Sequence, residues 1–324
     1  MCKGEVSEKE VARAASENPM VSPGPKPAFV KAHEAQDDFH WIKELMGHDP
    51  NTKYVVLFVV ALQTYCAFLA PSLSGPVFFA LAYIVGGTCN HAMMMAMHEL
   101  SHNLGFKRML PNRLCGIFAN LPVGVPSAIS FKRYHMEHHR YQGEEGVDVD
   151  LPTQLEGKIF NNTLAKLLRP LYVNPKKPTI WEFYNLVACV IYNIFIFVYA
   201  GPWGLAYLLI STLLGAGLHP VAAHFIAEHY VFILGYETYS YYGILNWLTF
   251  NVGYHNEHHD FPYVPGSRLH KIREIAPEFY DNLPRHESWV AVIIEYILNP
   301  YIGAFSRIKR QTLSKEQIEK MKYD

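Results

Sequence analysis

Residues 54–98 read YVVLFVVALQTYCAFLAPSLSGPVFFALAYIVGGTCNHAMMMAMH, 45 positions without an Asp, Glu, Lys or Arg. A helix needs about 20 apolar residues to cross a ~30 Å hydrocarbon core at about 1.5 Å per residue. The run therefore holds two crossings, and Pro71-Ser72-Leu73-Ser74-Gly75-Pro76 interrupts it where a helix would turn back. Phe183–Ala227 is a second charge-free run of 45 residues, broken by Gly201-Pro202-Trp203-Gly204. The fold class that follows is an all-α integral membrane protein. Four transmembrane helices, at 54–70, 77–98, 183–200 and 204–224, form two hairpins beneath a cytoplasmic cap built from the histidine-rich segments between and after them. The chain then divides into a cytoplasmic N-terminal segment (1–53), a membrane domain (54–310) and a C-terminal tail (311–324).

The whole composition agrees. Of 324 residues, 50% are hydrophobic and only 18% charged, against about 25% charged in a soluble domain. Disordered and collagen-like chains are excluded, and 28 Lys+Arg against 29 Asp+Glu leave no basic excess for nucleic acid. Five cysteines without a CxxC spacing suggest neither a disulfide framework nor a zinc ribbon. Basic residues number 7 in 1–53, 11 in 98–182 and 10 in 225–324, and the two hairpin turns hold none. By the positive-inside rule both termini and the central loop are cytoplasmic. Residues 1–53 contain no apolar stretch of the signal-peptide kind. Leu114–Phe131, with Pro122 and Pro126, reads as a re-entrant or interfacial segment, and Ser288–Phe305 as an amphipathic helix on the membrane surface.

Histidine is the unusual residue, with 17 copies. His98-Glu-Leu-Ser-His102 places two imidazoles at i and i+4, on one helical face. His135-Met-Glu-His138-His139 and His255-Asn-Glu-His258-His259 each give i, i+3 and i+4. All three clusters fall at or beyond cytoplasmic ends of the spans, where four helices can bring them together. Neutral imidazole ligates iron, copper, zinc and nickel, and eight rings exceed the sphere of one ion, so two metals are expected. A pair of irons binding dioxygen would supply an oxidant able to attack an unactivated methylene. His229, just past the fourth span, is either a ninth ligand or a support behind the others. His91, His219 and His224 read as hydrogen-bonded core or tunnel residues. His33, His40, His48, His270 and His286 read as solvated surface. Glu99, Glu137, Glu228 and Glu257 accompany the clusters. Adjacent helical residues point about 100° apart, so each Glu is expected to orient a histidine of another cluster. Glu144–Asp150 lacks the spacing of a calcium loop and reads as a structural or supporting segment.

HELSH, HMEHH and HNEHH resemble the three histidine boxes of membrane fatty-acyl desaturases and hydroxylases. The flanking text HELSHNLGF, YHMEHHRYQGEEGVDVDLPT, HFIAEHYVF and NVGYHNEHHDFP is similar to sphingolipid Δ4-desaturases, or dihydroceramide desaturases, from Asp38 to Arg310. The resemblance implies an endoplasmic-reticulum enzyme that makes ceramide from dihydroceramide by introducing a trans double bond at C4–C5. It implies O2 as co-substrate and electrons from NADH through cytochrome b5 and its reductase. It assigns His98, His102, His135, His138, His139, His229, His255, His258 and His259 as ligands of two Fe ions. Close relatives also hydroxylate C4 to give phytoceramide. The family often begins Met-Gly; here Cys2 replaces the glycine, so N-terminal myristoylation is not implied.

Rival readings remain at this level. His98-Glu99-Leu-Ser-His102 fits the HExxH of a zinc peptidase, with Glu99 as base, although two HxxHH clusters then have no task. A transporter or a non-enzymatic lipid-binding protein is a third class. Lys107, Arg108, Arg113, Lys132, Arg133 and Arg140 bracket the first two boxes and suit either an acidic cytochrome b5 or anionic headgroups. Lys320 and Lys322, three and five places from the end, resemble a dilysine retrieval signal. The charge count also places the sequon Asn161-Asn162-Thr163 in the cytoplasm. It should stay unmodified on expression in eukaryotic membranes, and a glycosidase-sensitive mass shift at Asn161 would reverse the orientation.

Overall fold

The computed structural model describes residues 20–21, 40–159 and 177–310; Cys2, His33, Asn161, Lys320 and Lys322 lie outside them. Among the described residues, three helices are long and apolar enough to cross a membrane: Thr52–Ser72, Gly75–Ser101 and Ile180–Ala216. Met109–Val123 and Ala128–Tyr141, bent by 115°, make a fourth if counted as one broken span. Their outward faces are apolar, with Phe58 67%, Ile191 63% and Val198 63% exposed. Water would not tolerate such faces side by side, whereas a bilayer covers them. The chain is a largely helical membrane protein.

The first apolar run becomes Thr52–Leu69 (α1), then Gly75–Leu81 (α2) and Thr88–Ser101 (α3), the last two joined through a wider π turn at Ala82–Gly87. Such a turn shifts carbonyls out of the regular ladder, and Gly86 O accepts a hydrogen bond from Gln63 Nε2 at 3.2 Å. Gln63 Oε1 in turn accepts from Tyr207 OH at 2.9 Å. Asn90 Nδ2 donates to Thr212 Oγ1, Pro122 O and Leu208 O. Polar side chains thus tie the elements from inside, where apolar contact with lipid would offer them nothing.

The second run differs from its expected outline. Ile180–Ala216 (α6) is one helical run of 37 residues, interrupted by Gly201 at φ 72° and ψ −177°. Run straight it would measure about 55 Å, far longer than the ~30 Å core. Instead both arms meet the same neighbours. Asn193 Nδ2 donates to Gly124 O at 2.9 Å, and the Leu209 side chain packs against Gly124. Tyr192 OH meets Thr64 Oγ1 on α1, while Tyr207 meets Gln63 one residue earlier. The two arms on either side of Gly201 therefore pack against the same neighbours. The expected span 204–224 overshoots, because the helix stops at Ala216 and Pro220 opens a short 3-10 turn, Pro220–Ala223. The start also moves earlier, to Ile180. Thr179 and Glu182 form a capping box there, so the first turn carries its charged residue as a cap.

Met109–Ala119 (α4) and Ala128–Tyr141 (α5) flank the sharp bend at Gly124, φ +76°. Asn120, fully buried, makes that bend. Its Oδ1 accepts from Ser127 N, Ala128 N and Asn185 Nδ2, and its Nδ2 donates to Val125 O. The open N-terminus of α5 is thereby satisfied from across the turn. His224–Ala227 (α7), His255–Asp260 (α8), Gly266–Ile275 (α9) and Trp289–Leu298 (α10) complete the helices used below. The expected surface helix 288–305 ends at Leu298, before Pro300, and buries Trp289, Val292 and Tyr296 while Val290, Ile294 and Leu298 face outward. Two pairs of two-residue parallel strands tie distant segments: Met20–Val21 (β1) with Ile308–Lys309 (β4), and Ser240–Tyr241 (β2) with Arg285–His286 (β3).

Gly87 and Gly215 face each other at the α3–α6 crossing: a Cβ on Gly215 would lie 2.5 Å from Gly87 O. Close backbone approach through small residues is how helices associate in lipid. Gly215→Val should lower stability by about 1–3 kcal/mol through overpacking. Thermal unfolding in detergent micelles tests this, and melting at the wild-type temperature would refute the crossing.

Candidate metal centre

Box one closes α3, box two occupies the C-terminal half of α5, and box three forms α8. Each helix turns its histidines inward, because i, i+3 and i+4 share a face. The ligand atoms of His98, His102, His135, His139 and His258 lie within 4.8 Å of one another. A second group, His138, His229 and His259, converges in the same way. His255 joins it, with Nε2 2.9 Å from His229 Nε2. All nine histidines singled out in the sequence meet here, in groups of five and four.

The arrangement within each group fits a cation. His135 Nε2 lies 2.8 Å from His102 Nε2 and 3.0 Å from His139 Nε2, which lies 3.0 Å from His258 Nε2. His138 Nε2 is 3.0 Å from His229 Nε2. A neutral ring has one donor and one acceptor, so single protons cannot satisfy such a chain of facing nitrogens, whereas an ion takes every lone pair at once. His98 Nε2 is buried without a hydrogen-bond partner. Burial, then the neighbouring imidazole of His229, holds His255 well below its ordinary pKa; burial, then His98 and His102, does the same for His258. Those two rings are kept in the neutral form, the form able to bind a metal.

The supports differ from expectation. Glu228 does reach another cluster: its Oε1 lies 3.5 Å from His255 Nδ1 and 2.8 Å from His224 Nδ1. Glu99 instead accepts from Gly266 N at 3.0 Å, pinning the start of α9, and lies 3.9 Å from Nδ1 of its own neighbour His98. That removes it from the role of a peptidase base. Glu257 accepts from Ser240 Oγ and Tyr242 OH, both at 2.8 Å, and anchors α8 to β2. Glu137 sits half-buried on α5, with its charge acting on Arg133.

The supporting role expected of Glu144–Asp150 falls to Asp148, although the spacing did not name His138 as its partner. Asp148 Oδ1 lies 3.1 Å from His138 Nδ1, on a segment that returns through Gly143 (φ +79°) and Gly146 (φ +77°). Burial alone would raise the Asp148 pKa, but His138 and Arg307 hold it below its ordinary value. The signal was available: two glycines inside an acidic run mark a turn that folds the acids back toward the preceding helix. His229 Nδ1 lies 3.3 Å from both Glu237 O and Gln142 Nε2.

The other histidines divide. His91 Nδ1 bonds Gly215 O at 2.8 Å, His219 lies 3.4 Å from Thr88 Oγ1, and His224 bonds Glu228, so these three are hydrogen-bonded core residues. His40 is exposed, and His48 and His270 are half-buried. His286 is not surface: it packs against the rings of Phe232 and Tyr239, and burial pushes its pKa down to about 4. The basic patch is also partly occupied. Arg133 pairs with Glu182, Lys132 donates to Asn103 Oδ1, and Arg113 stacks over Trp181. Lys107, Arg108 and Arg140 remain exposed.

Inward-facing histidines on the ends of apolar helices define a membrane-embedded metalloenzyme architecture. The family model for fatty acid desaturase matches residues 74–289, and the chain belongs to that family of oxygen-dependent di-iron oxidoreductases. It is 51% identical to the sphingolipid delta(4)-desaturase DES1 of Drosophila melanogaster, covering 83% of this chain and 88% of that protein. It is 48% identical to DES1 of Homo sapiens, covering 83% and 87%. It is also 48% identical to the sphingolipid delta(4)-desaturase/C4-monooxygenase DES2 of Rattus norvegicus, covering 86% and 90%.

Asp148→Asn keeps the shape but removes the charge behind His138. Supporting partners of this kind change metal affinity or activity by about 10–100-fold. Turnover and metal retention should both fall within that range, measured on purified protein; unchanged values would remove Asp148 from the site.

Proposed function

We propose that this chain is a sphingolipid Δ4-desaturase, converting dihydroceramide to ceramide with O2. The observation that carries the reading is the convergence of nine imidazoles in a chain about half identical to enzymes of that name. The balance is dihydroceramide, O2, two electrons and two protons giving ceramide and two waters. His98, His102, His135, His139 and His258 would hold one iron, and His138, His229, His255 and His259 the other. When bound, the irons supply an oxidant able to remove hydrogen from an unactivated methylene. The chain's own residues hold the rings neutral, exclude water by burial, and orient His138 and His255 through Asp148 and Glu228.

C4-hydroxylation, giving phytoceramide, is the second reading, supported by the likeness to a relative named as desaturase and C4-monooxygenase. Both outcomes start with loss of one hydrogen. Loss of a second gives the alkene, and return of oxygen gives the alcohol.

Electrons come from NADH through cytochrome b5 and its reductase, with exposed Lys107, Arg108 and Arg140 as the docking charges. The domain 54–310 carries four spans in two hairpins, turning near 71–76 and at Gly201, with both termini cytoplasmic in the endoplasmic-reticulum membrane. The positive-inside count and the break at Gly201 support this placement.

Purified enzyme supplied with labelled dihydroceramide, O2 and reduced cytochrome b5 should yield labelled ceramide. His135→Ala and His258→Ala should abolish turnover and lower iron from about two per chain while the protein still accumulates. Full activity in either variant would sink the assignment, and phytoceramide as the main product would favour the second reading.

A further inference from the structure

The segment Ser306–Arg310 lies beyond the residues that the family model matches, yet it reaches the metal centre. Its backbone is knitted to the loop after box two: Arg310 N donates to Gly143 O at 2.6 Å, and Glu145 N donates to Arg310 O at 3.0 Å. On the other side Val231 N donates to Ser306 O at 2.9 Å, two residues past His229. Three basic side chains follow the same path. Arg307 pairs with Asp150, Lys309 with Glu145, and Arg310 with Glu237.

Arg310 makes the informative contacts. Its Nη1 donates to Gln142 O at 3.1 Å and to Glu237 Oε2 at 2.9 Å, and its Nη2 donates to Glu237 Oε1. Gln142 and Glu237 are the two residues whose Nε2 and carbonyl oxygen flank His229 Nδ1, each at 3.3 Å. One planar guanidinium thus holds both residues that flank the ring, whose Nδ1–H donates to the Glu237 carbonyl when Nε2 turns its lone pair toward His138 and His255. Gly143 gives an independent sign of the close approach. A Cβ there would lie 2.6 Å from Arg310 Nη1 and 3.0 Å from Ile308 O, at a φ of +79°. Gly143 N also donates to Asp148, the support of His138, at 2.6 Å.

We propose that Ser306–Arg310 is a positioning strap for the four-histidine half of the metal centre, with Arg310 fixing the ring of His229 through Gln142 and Glu237. The inference rests on the two-iron reading above. Lysine offers a point charge and cannot bridge the Gln142 carbonyl and both Glu237 oxygens as the guanidinium fork does. These contacts of Arg310 run to Gln142 and Glu237, beside the four-histidine half, so an iron in the five-histidine half should not sense the change.

The test is release of iron from purified full-length holoenzyme to a ferrous chelator in detergent, followed beside the thermal melt. Wild type should hold about two irons and release both slowly. In Arg310→Ala and Arg310→Lys one iron per chain should leave about 10–100-fold faster, the range for supports behind a ligand, with the other unchanged. Gly143→Ala, which pushes on Arg310 without deleting it, should act in the same direction. Should Arg310→Ala fail to accumulate, Arg310→Lys and Gly143→Ala carry the test. Wild-type release from all variants would overturn the strap, as would equal acceleration of both irons in step with a lower melting temperature. A wild-type chain that binds no iron would overturn the metal reading itself, and the strap with it.

Discussion

Nine imidazoles gathered in one buried or half-buried cluster, seven of them with nitrogens facing one another at 2.8–3.0 Å, are the constraint on which this architecture depends. Neutral rings cannot satisfy one another in that pattern, and burial holds charged rings off. A cation would resolve the conflict, and it would require each ring to stay aimed. The nine rings span residues 98 to 259, so no local segment can build the cluster. Their aim must come from the helices that carry them and from the groups behind them.

The membrane dictates how those helices are held. Apolar faces such as those of Phe58 and Val198 gain nothing by hiding from lipid, so the bundle is fastened from within. Gln63, Asn90 and Asn120 each join three or more segments through paired donors and acceptors. Glycines at the α3–α6 crossing allow backbone contact. The region outside the spans, by contrast, is fastened by charge: Asp148, Glu145 and Glu237 meet histidine or basic partners on segments distant in sequence. The metal centre sits where the two kinds of fastening meet.

Much of this was legible in the residues. Two charge-free runs with Pro-Gly breaks specify apolar helices and their turns, because lipid tolerates neither charge nor unpaired backbone. The i, i+3, i+4 spacing specifies which histidines share a face, because helical geometry is local. Helix ends were less legible. A charge-free pattern does not mark where Ala216 stops, since Gly217 and Pro220 end the helix while the residues stay apolar. His286 looked solvated because its neighbours in sequence are polar, and it packs against Phe232 and Tyr239 from elsewhere in the chain.

Spacing within single segments was enough for the class of fold and for the eight histidines of the three clusters, since helical geometry is local. The addition of His229, and the division of the rings into five and four, follow from how α3, α5 and α8 pack against the turn that carries it. The tertiary structure also decided which carboxylates serve them. Glu99 and Glu257, next to histidines in sequence, anchor backbone and strand, while Asp148 folds back to His138 and Glu228 reaches His255. Side chains adjacent on a helix diverge by about 100°, so the group behind a ligand has to arrive from another part of the chain.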